Sequence, residues 1–163
     1  AKIISSQEPS IEFRLIGSGQ TFPRVSALAS EFGLSNIFFE DWLAQSELPK
    51  RIASADICLG IFGSTEKAQR VVPHKVFQAM GMRKAVITIR TPAVEEFFRH
   101  RENIFLISEA KPELLAESIL ELQRDEKLRE SIAERGYKLV SQNFSPRAIG
   151  LTLVKILEQK LLR

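Results

Sequence analysis

The polar loop at residues 63–72 contains the side chains best suited to holding an anionic group. Lys67 and Arg70 lie within it, and it leads into Pro73-His74-Lys75. Proline is favoured where a helix begins, and the free N–H groups and positive dipole end of a helix start attract phosphate. The pattern therefore indicates a phosphate site, and it is equally typical of a solvated surface loop.

A second candidate loop is Gly17-Ser18-Gly19, which follows an apolar run at residues 11–16. Glycines in this place allow a ligand to approach the backbone closely. A turn from a strand into a helix also needs glycine for its conformation alone. Both interpretations stay open on the sequence.

The remaining reactive residue types give weaker signals. His74 and His100 are the only histidines, and neither has partners at metal-ligand spacing, so no zinc site is expected. Glu95 and Glu96 are adjacent, and adjacent residues on a helix point in different directions, which argues against an acid–base pair. Cys58, the single cysteine, is interpreted as a buried core thiol because it lies in an apolar run.

Short apolar runs alternate with segments of helical period over the first two thirds of the chain. Strands are expected at 11–16, 36–39, 57–62, 85–89 and 103–107, and only helices are expected beyond Pro112. This order predicts an α/β domain with a Rossmann-like, doubly wound parallel sheet of about five strands and C-terminal helices. The run at 57–62 is apolar on both faces, which favours a central strand covered by helices on each side.

Composition narrows the class of protein. A length of 163 residues fits one domain. The net charge of +3 is spread without a basic run, which argues against nucleic-acid binding. No apolar stretch reaches about 18 residues, and the chain does not open on a secretory signal, so a cytoplasmic domain is expected. The mild positive charge suits an anionic diphosphate or loose contact with the inner face of an anionic membrane.

The segment from Pro73 to Thr88 resembles part of the family 4 glycosyltransferases, in which a helix carrying Lys-x-x-Glu-Ala-Met-Ala precedes Gly-Lys-Pro-Val-Ile. Matching fragments occur in the family's order along nearly the whole chain: Leu15–Gly19, Asn36–Phe39, Ala55–Leu59, Thr91–Glu96, Glu102–Ile104 and Gln142–Pro146. The chain is therefore similar to the C-terminal, donor-binding domain of a GT-B glycosyltransferase.

The resemblance implies a function. Such a domain binds a UDP- or GDP-linked hexose, and transfer with retention occurs in a cleft against an N-terminal acceptor domain. No metal or other cofactor is expected, because helix dipoles and basic side chains neutralise the leaving diphosphate. The residues that the resemblance assigns to the donor are Gly17 and Gly19 in the crevice, Trp42 and Leu43 beside the base, His74 and Lys75 at the diphosphate, and Gln78 at the ribose.

The chain also departs from the family's pattern. Arg70 and Gln78 stand where the family has a pair of glutamates with seven residues between them, and Arg101 replaces a frequent glycine. Glu66 and Glu96 are left as candidates to lie near the transferred sugar. The family's first strand, with a basic pair that clamps the diphosphate, would precede Ala1. Residues 1–163 are thus expected to be one nucleotide-sugar-binding domain, a fragment without that strand and without the acceptor domain, and inactive alone.

Two alternatives remain from the sequence. A sugar-nucleotide epimerase shares the GT-B fold, but the chain shows no acid–base groups for its chemistry. A flavodoxin-like binding or interaction module is favoured by the loss of both acidic positions.

Overall fold

The computed structural model describes residues 1–63 and 65–161. The strands are β1 (Phe13–Ile16), β2 (Ile37–Glu40), β3 (Ile57–Leu59), β4 (Ala85–Ile89) and β5 (Phe105–Ile107). The helices are α1 (Lys2–Ser5), α2 (Phe22–Glu31), α3 (Leu48–Ala53), α4 (Glu66–Gln69), α5 (His74–Gly81), α6 (Pro92–Phe97), α7 (Pro112–Arg124), α8 (Glu126–Asn143) and α9 (Pro146–Leu161).

All strand pairs are parallel, which confirms the predicted α/β class. The hydrogen bonds divide the strands into two sheets, β1-β2 and β3-β4-β5. Phe13 lies opposite Ile37 in the first sheet, and Ile57 lies opposite Ala85 in the second. The prediction of a central strand at 57–62 is wrong for the described residues, because β3 is an edge strand and its three residues are only partly buried.

Strand β4 is the centre of the molecule, and all five of its residues are buried. Its alternating side chains supply two core clusters on opposite sides of the sheet. The first core cluster contains Ala85, Ile87 and Ile89 together with side chains from α7 and α8. The second core cluster contains Val86 with buried residues of α5 and α6. Helix α5 therefore lies on the side of the sheet that belongs to the second core cluster.

Phenylalanines join α5, α6 and the end of α8. The ring centroids of Phe77 and Phe97 lie 5.1 and 5.2 Å, respectively, from the ring centroid of Phe144. Phe98, which is fully buried, completes the group. This cluster fixes the beginning of α9 relative to α5 and α6.

Helix α9 has an uncovered apolar face. None of its described residues is buried, and its large apolar side chains are about half exposed or more: Ile149, Leu151, Leu153, Val154, Ile156, Leu157 and Leu161. Among the described residues, no helix has both the length and the hydropathy needed to span a bilayer.

Candidate functional site

The start of helix α5 is free of a side-chain cap. Pro73 lies at the N-cap with φ −65° and ψ 144°, one residue before the first helical position where the sequence placed it. The first N–H groups of a helix have no partner within the helix, so they remain available to an acceptor.

Helix α5 presents three of the predicted donor residues on one side. Its buried residues are Val76, Ala79 and Met80. With about 100° between successive residues, His74 and Gln78 fall on the opposite arc, and Lys75 lies at its border with the buried face. His74 and Lys75 are exposed, and Gln78 is partly buried. One helix face therefore combines a cation, an amide and the free N–H groups.

Lys75 lies close enough to Cys58 for a charge on either group to affect the pKa of the other. Desolvation by the surrounding side chains lowers the pKa of the Lys75 ammonium. The residue as a whole is exposed, so its desolvation is incomplete. The face of α5 that carries Lys75 thus borders β3.

Cys58 differs from its predicted environment, since it is only partly buried. The cause is the edge position of β3, whose other edge carries no strand among the described residues. Desolvation still raises the pKa of the thiol, against the lowering effect of Lys84 and Lys75. A raised pKa disfavours the thiolate, which is the nucleophilic form of cysteine.

The loop between β3 and α5 contains one short helix that the sequence did not predict. Thr65 is its N-cap and accepts a hydrogen bond from the N–H of Ala68 at 3.3 Å. Glu66 and Arg70, one turn apart, form an ion pair with each other. The Glu66 carboxylate, a candidate for the transferred sugar, is thus already engaged by Arg70.

In the glycine loop after β1, the backbone conformation requires glycine at the first position. Gly17 has φ +106°, a conformation that other residues rarely adopt, and its N–H donates to the Glu40 carbonyl at 2.9 Å. The Gly19 carbonyl accepts from Phe22 as α2 begins. A Cβ on Gly19 would meet no atom within 4 Å, so this position is open towards solvent.

Trp42 and Leu43 follow β2, beside the glycine loop, because β1 and β2 are paired in parallel. Trp42 is 75% exposed, which is unusual for an indole and leaves its ring available to a planar ligand. The preceding Glu40 is held by Arg14 at 3.2 Å and by Arg51 of α3 at 2.8 Å. Through its pair with Arg51, Glu40 links the end of β2 to α3 across the segment that carries Trp42.

The two glutamates of α6 have different surroundings. Thr91 caps the helix by accepting from the N–H of Val94, and Glu95 forms an ion pair with Arg90 at the end of β4. Glu96 is exposed and has no ion-pair partner among the described residues. The sequence left Glu66 and Glu96 as candidates to lie near the transferred sugar. Glu66 is paired with Arg70, so Glu96 is the candidate whose carboxylate has no ion-pair partner among the described residues.

The structure brings the predicted residues together in two groups. Gly17, Gly19, Trp42 and Leu43 lie at the end of the β1-β2 sheet, and His74, Lys75 and Gln78 lie at the start of α5 beside β3. The hydrogen-bonded ladders of the two sheets do not meet among the described residues, so no backbone pairing joins the groups.

Sequence reasoning missed one buried polar residue next to this site. The Thr88 side chain in β4 is fully buried and bonds to both backbone groups of Ile61, each at 3.1 Å. The signal in the sequence is a single hydroxyl in the otherwise apolar run Ala85–Ile89.

Comparisons with known proteins identify the family to which the chain belongs. The family model described as "Glycosyl transferase-like" matches residues 2–154, and the chain belongs to that family. A curated relative, the lipopolysaccharide core biosynthesis glycosyltransferase LpsE of Rhizobium meliloti, is 23% identical over 153 residues. That match covers 93% of this chain and 43% of the relative, so the chain spans less than half of the relative's length.

Solved structures support the same fold. The C-terminal domain of a group 1 glycosyl transferase, LpcC of Francisella tularensis, superposes with a TM-score of 0.74 at 23% identity, over 90% of this chain and 76% of that one. HepE of Anabaena in complex with UDP-glucose gives a TM-score of 0.79 at 20% identity, over 96% of this chain and 43% of that one. The fold is therefore that of a GT-B glycosyltransferase domain, as the sequence predicted.

Proposed function

We propose that this chain is the donor-binding domain of a retaining glycosyltransferase that transfers a hexose from a UDP- or GDP-sugar. The observation that carries the proposal is the exposed face of α5, where His74, Lys75 and Gln78 surround an uncapped helix start. A helix start without a cap offers N–H donors and a positive partial charge to a diphosphate. Lys75 adds a full charge, and Gln78 can both donate to and accept from a ribose hydroxyl.

Trp42 supports the base-binding part of the proposal. An exposed indole on a loop with anchored ends can stack on a nucleobase. Gly19 is open to solvent in the neighbouring glycine loop. Because it has no side chain, a ligand could contact the protein backbone there. In HepE, which has this fold, UDP-glucose is bound, and this supports a nucleotide sugar as the ligand class.

Calorimetric titration of the full-length protein with UDP and with GDP tests the donor site. Lys75→Ala should weaken binding about tenfold to a hundredfold, because a charge-assisted contact contributes roughly 1.5–3 kcal/mol. Gln78→Leu should also weaken it, whereas Gln78→Glu should bind as well as the parent or better. Lys127→Ala, an exposed lysine of α8, is the matched control.

The donor site is wrongly placed if affinity stays within about a factor of two in both Lys75→Ala and Gln78→Leu. Loss of affinity in the control variant as well would point to a general effect of net charge. Titration with flavin mononucleotide in parallel separates the flavodoxin-like alternative, which predicts flavin binding instead.

For the transfer step we propose that Glu96 lies near the sugar and that no metal takes part. Its carboxylate is exposed and unengaged in the described structure, while Glu66 is paired with Arg70. Glu96→Gln in the full-length enzyme should lower kcat with little change in UDP affinity. Activity that survives chelation by EDTA, with product in the donor's anomeric configuration, is expected; an inverted product would contradict retention.

We further propose that a strand of the longer polypeptide lies between β1 and β3. Both strands end their sheets, and Phe13 and Ile57 pack against the same first core cluster. Strand β3 has the wholly apolar sequence of a central strand but is only partly buried. Hydrogen exchange supports the proposal if the β3 amides are protected about tenfold or more by sequence preceding residue 1. Equal protection with and without that sequence contradicts it.

The acceptor domain of the same enzyme is the partner that we propose for α9. The helix exposes an apolar face, and the curated relative extends over more than twice the matched length. Removing the rest of the polypeptide should then expose α9 to a hydrophobic dye.

The described part of α9 also carries Arg147, Lys155 and Lys160. Binding of the full-length protein to anionic vesicles through these residues would instead favour peripheral contact at the inner face of the membrane.

A second candidate function is a nucleotide-binding module without transfer. The ion pair between Glu66 and Arg70 favours it, since Arg70 stands where the family resemblance places a sugar-binding carboxylate. Tight UDP or GDP binding by a full-length protein that turns over no donor sugar would support this alternative.

A further inference from the structure

Strand β3 leaves its regular ladder with β4 at Gly60. The Gly60 N–H donates to the Ile87 carbonyl at 2.8 Å, as a parallel ladder requires. In a regular parallel ladder the Gly60 carbonyl would accept from Ile89, two residues further along β4. Instead, the Ile89 N–H donates to the carbonyl of Ile61, at 3.0 Å. The chain after β3 is therefore advanced by one residue.

The hydroxyl of Thr88 holds this irregularity in place. It accepts from the Ile61 N–H and donates to the Ile61 carbonyl, each at 3.1 Å. Gly60 makes the approach possible, because a Cβ there would lie 2.5 Å from the Thr88 Cβ, a separation that real Cβ atoms essentially never show. A hydroxyl and a missing side chain are thus matched across β3 and β4.

The irregularity changes the side on which Phe62 lies. Ile57 and Leu59 pack against the first core cluster and Cys58 against the second, as alternation along a strand requires. Continued alternation would send Ile61 to the first cluster and Phe62 to the second. Both Ile61 and Phe62 pack against the first core cluster. Phe62 is consequently absent from the side of the sheet on which α5 begins.

We propose that Thr88 is a positioning residue of the donor site, whose hydroxyl keeps the Phe62 side chain off the α5 side of the sheet. The inference rests on the proposed function in taking that side as the donor's. Without the hydroxyl, the Ile61 N–H loses its acceptor and the strand regains its regular register. Phe62 then turns towards α5 and fills space beside Lys75 and Gln78.

The test combines Thr88→Val, which keeps the shape and removes the hydroxyl, with Thr88→Ser, which keeps the hydroxyl. In the full-length protein, Thr88→Val should weaken UDP binding about tenfold, and Thr88→Ser should bind within about twofold of the parent. Phe62→Ala added to Thr88→Val should restore most of the affinity, since the obstructing ring is gone. A residue that supports only folding would not be rescued by removing Phe62.

Ser118→Ala is the matched control, because its hydroxyl is also buried but donates to the Leu114 carbonyl within α7 at 2.7 Å. It should leave UDP affinity unchanged. Unchanged affinity in Thr88→Val, or failure of Phe62→Ala to restore binding, overturns the proposal.

Hydrogen exchange tests the same inference without a ligand. The Ile61 amide should exchange about tenfold faster in Thr88→Val than in the parent, and the amides of α7 should not change. If the parent binds no nucleoside diphosphate, the proposed function fails, and the exchange rate of Ile61 still decides whether Thr88 sets the path of this segment. An unchanged rate refutes it.

Discussion

Gly136 and Gly150 are both glycines inside helices, and the structure predicts that alanine has opposite effects at the two positions. Gly136 is buried in α8, where an added Cβ would lie 2.8 Å from the backbone oxygen of Asn103 and 3.4 Å from Met80 Cγ. Gly150 lies in α9, where an added Cβ would meet nothing within 4 Å. Local helix propensity is the same at both, so the surroundings decide the sign.

The magnitude follows from two terms. Alanine is more favourable than glycine in a helix interior by about 1 kcal/mol. Overpacking typically costs about 1–3 kcal/mol, and a rigid backbone oxygen places Gly136 in the upper half of that range. Gly136→Ala should therefore lower the free energy of unfolding by about 1–2 kcal/mol. Gly150→Ala should raise it by up to about 1 kcal/mol, less if α9 frays before the domain unfolds.

Urea unfolding of the two variants, followed by circular dichroism, measures both changes. The expected loss in Gly136→Ala corresponds to a fall in Tm of roughly 2–8 °C for a domain of this size. A Gly136→Ala variant that is as stable as the parent would refute the close packing of α8 on residue 103. Equal stabilisation of both variants would show that propensity alone governs these sites.

Two further predictions concern titratable groups. The Nδ1 atom of His100 accepts from the Leu106 N–H at 3.0 Å, and desolvation, then Arg90 and Arg101, lower the pKa of His100 against the opposite effect of Glu121. As the pH falls, the unfolded state then binds the proton first, so stability should be full above about pH 7 and decrease as the pH drops below the ordinary histidine pKa of about 6.5. His100→Gln should flatten this decrease, and thermal melts with the same pH dependence in both proteins would contradict it. The raised pKa of Cys58 should make maleimide labelling of its thiol at pH 7.5 slower in the native protein than in urea. Equal labelling rates in the two states would contradict the raised pKa.

The elements that the sequence predicted best depend on local pattern. Strand β4 has the bounds that its β-branched run indicated, Ala85–Ile89. Helix α4 was missed because four residues are too few to show an apolar period, yet Thr65 followed by Glu66 is a helix-start signal. The spacing of Glu66 and Arg70, four residues apart, could likewise have indicated their ion pair.

Other features depend on contacts between distant residues and could not be read locally. The bond from Thr88 to Ile61 joins residues 27 positions apart, and nothing near either residue indicates it. The predicted donor residues share surfaces only after the chain has folded, which is why the family resemblance, and not spacing, assigned their roles. At Arg101 the sequence indicated part of the answer. The resemblance places a glycine at this position, and the structure gives Arg101 a φ of +61°, which glycine adopts more readily than arginine.

The sequence of β3 is that of a central strand, but β3 lies at the edge of its sheet. Ile57, Cys58 and Leu59 are apolar on both faces, as in a strand with neighbours on each edge, yet β3 has a neighbour on one edge only among the described residues. A natural edge strand usually carries charge or proline, which prevents pairing with other chains. Since β3 carries neither, its free edge is suited to pairing with a further strand. The strand proposed between β1 and β3 would join the two groups of donor residues into one crevice.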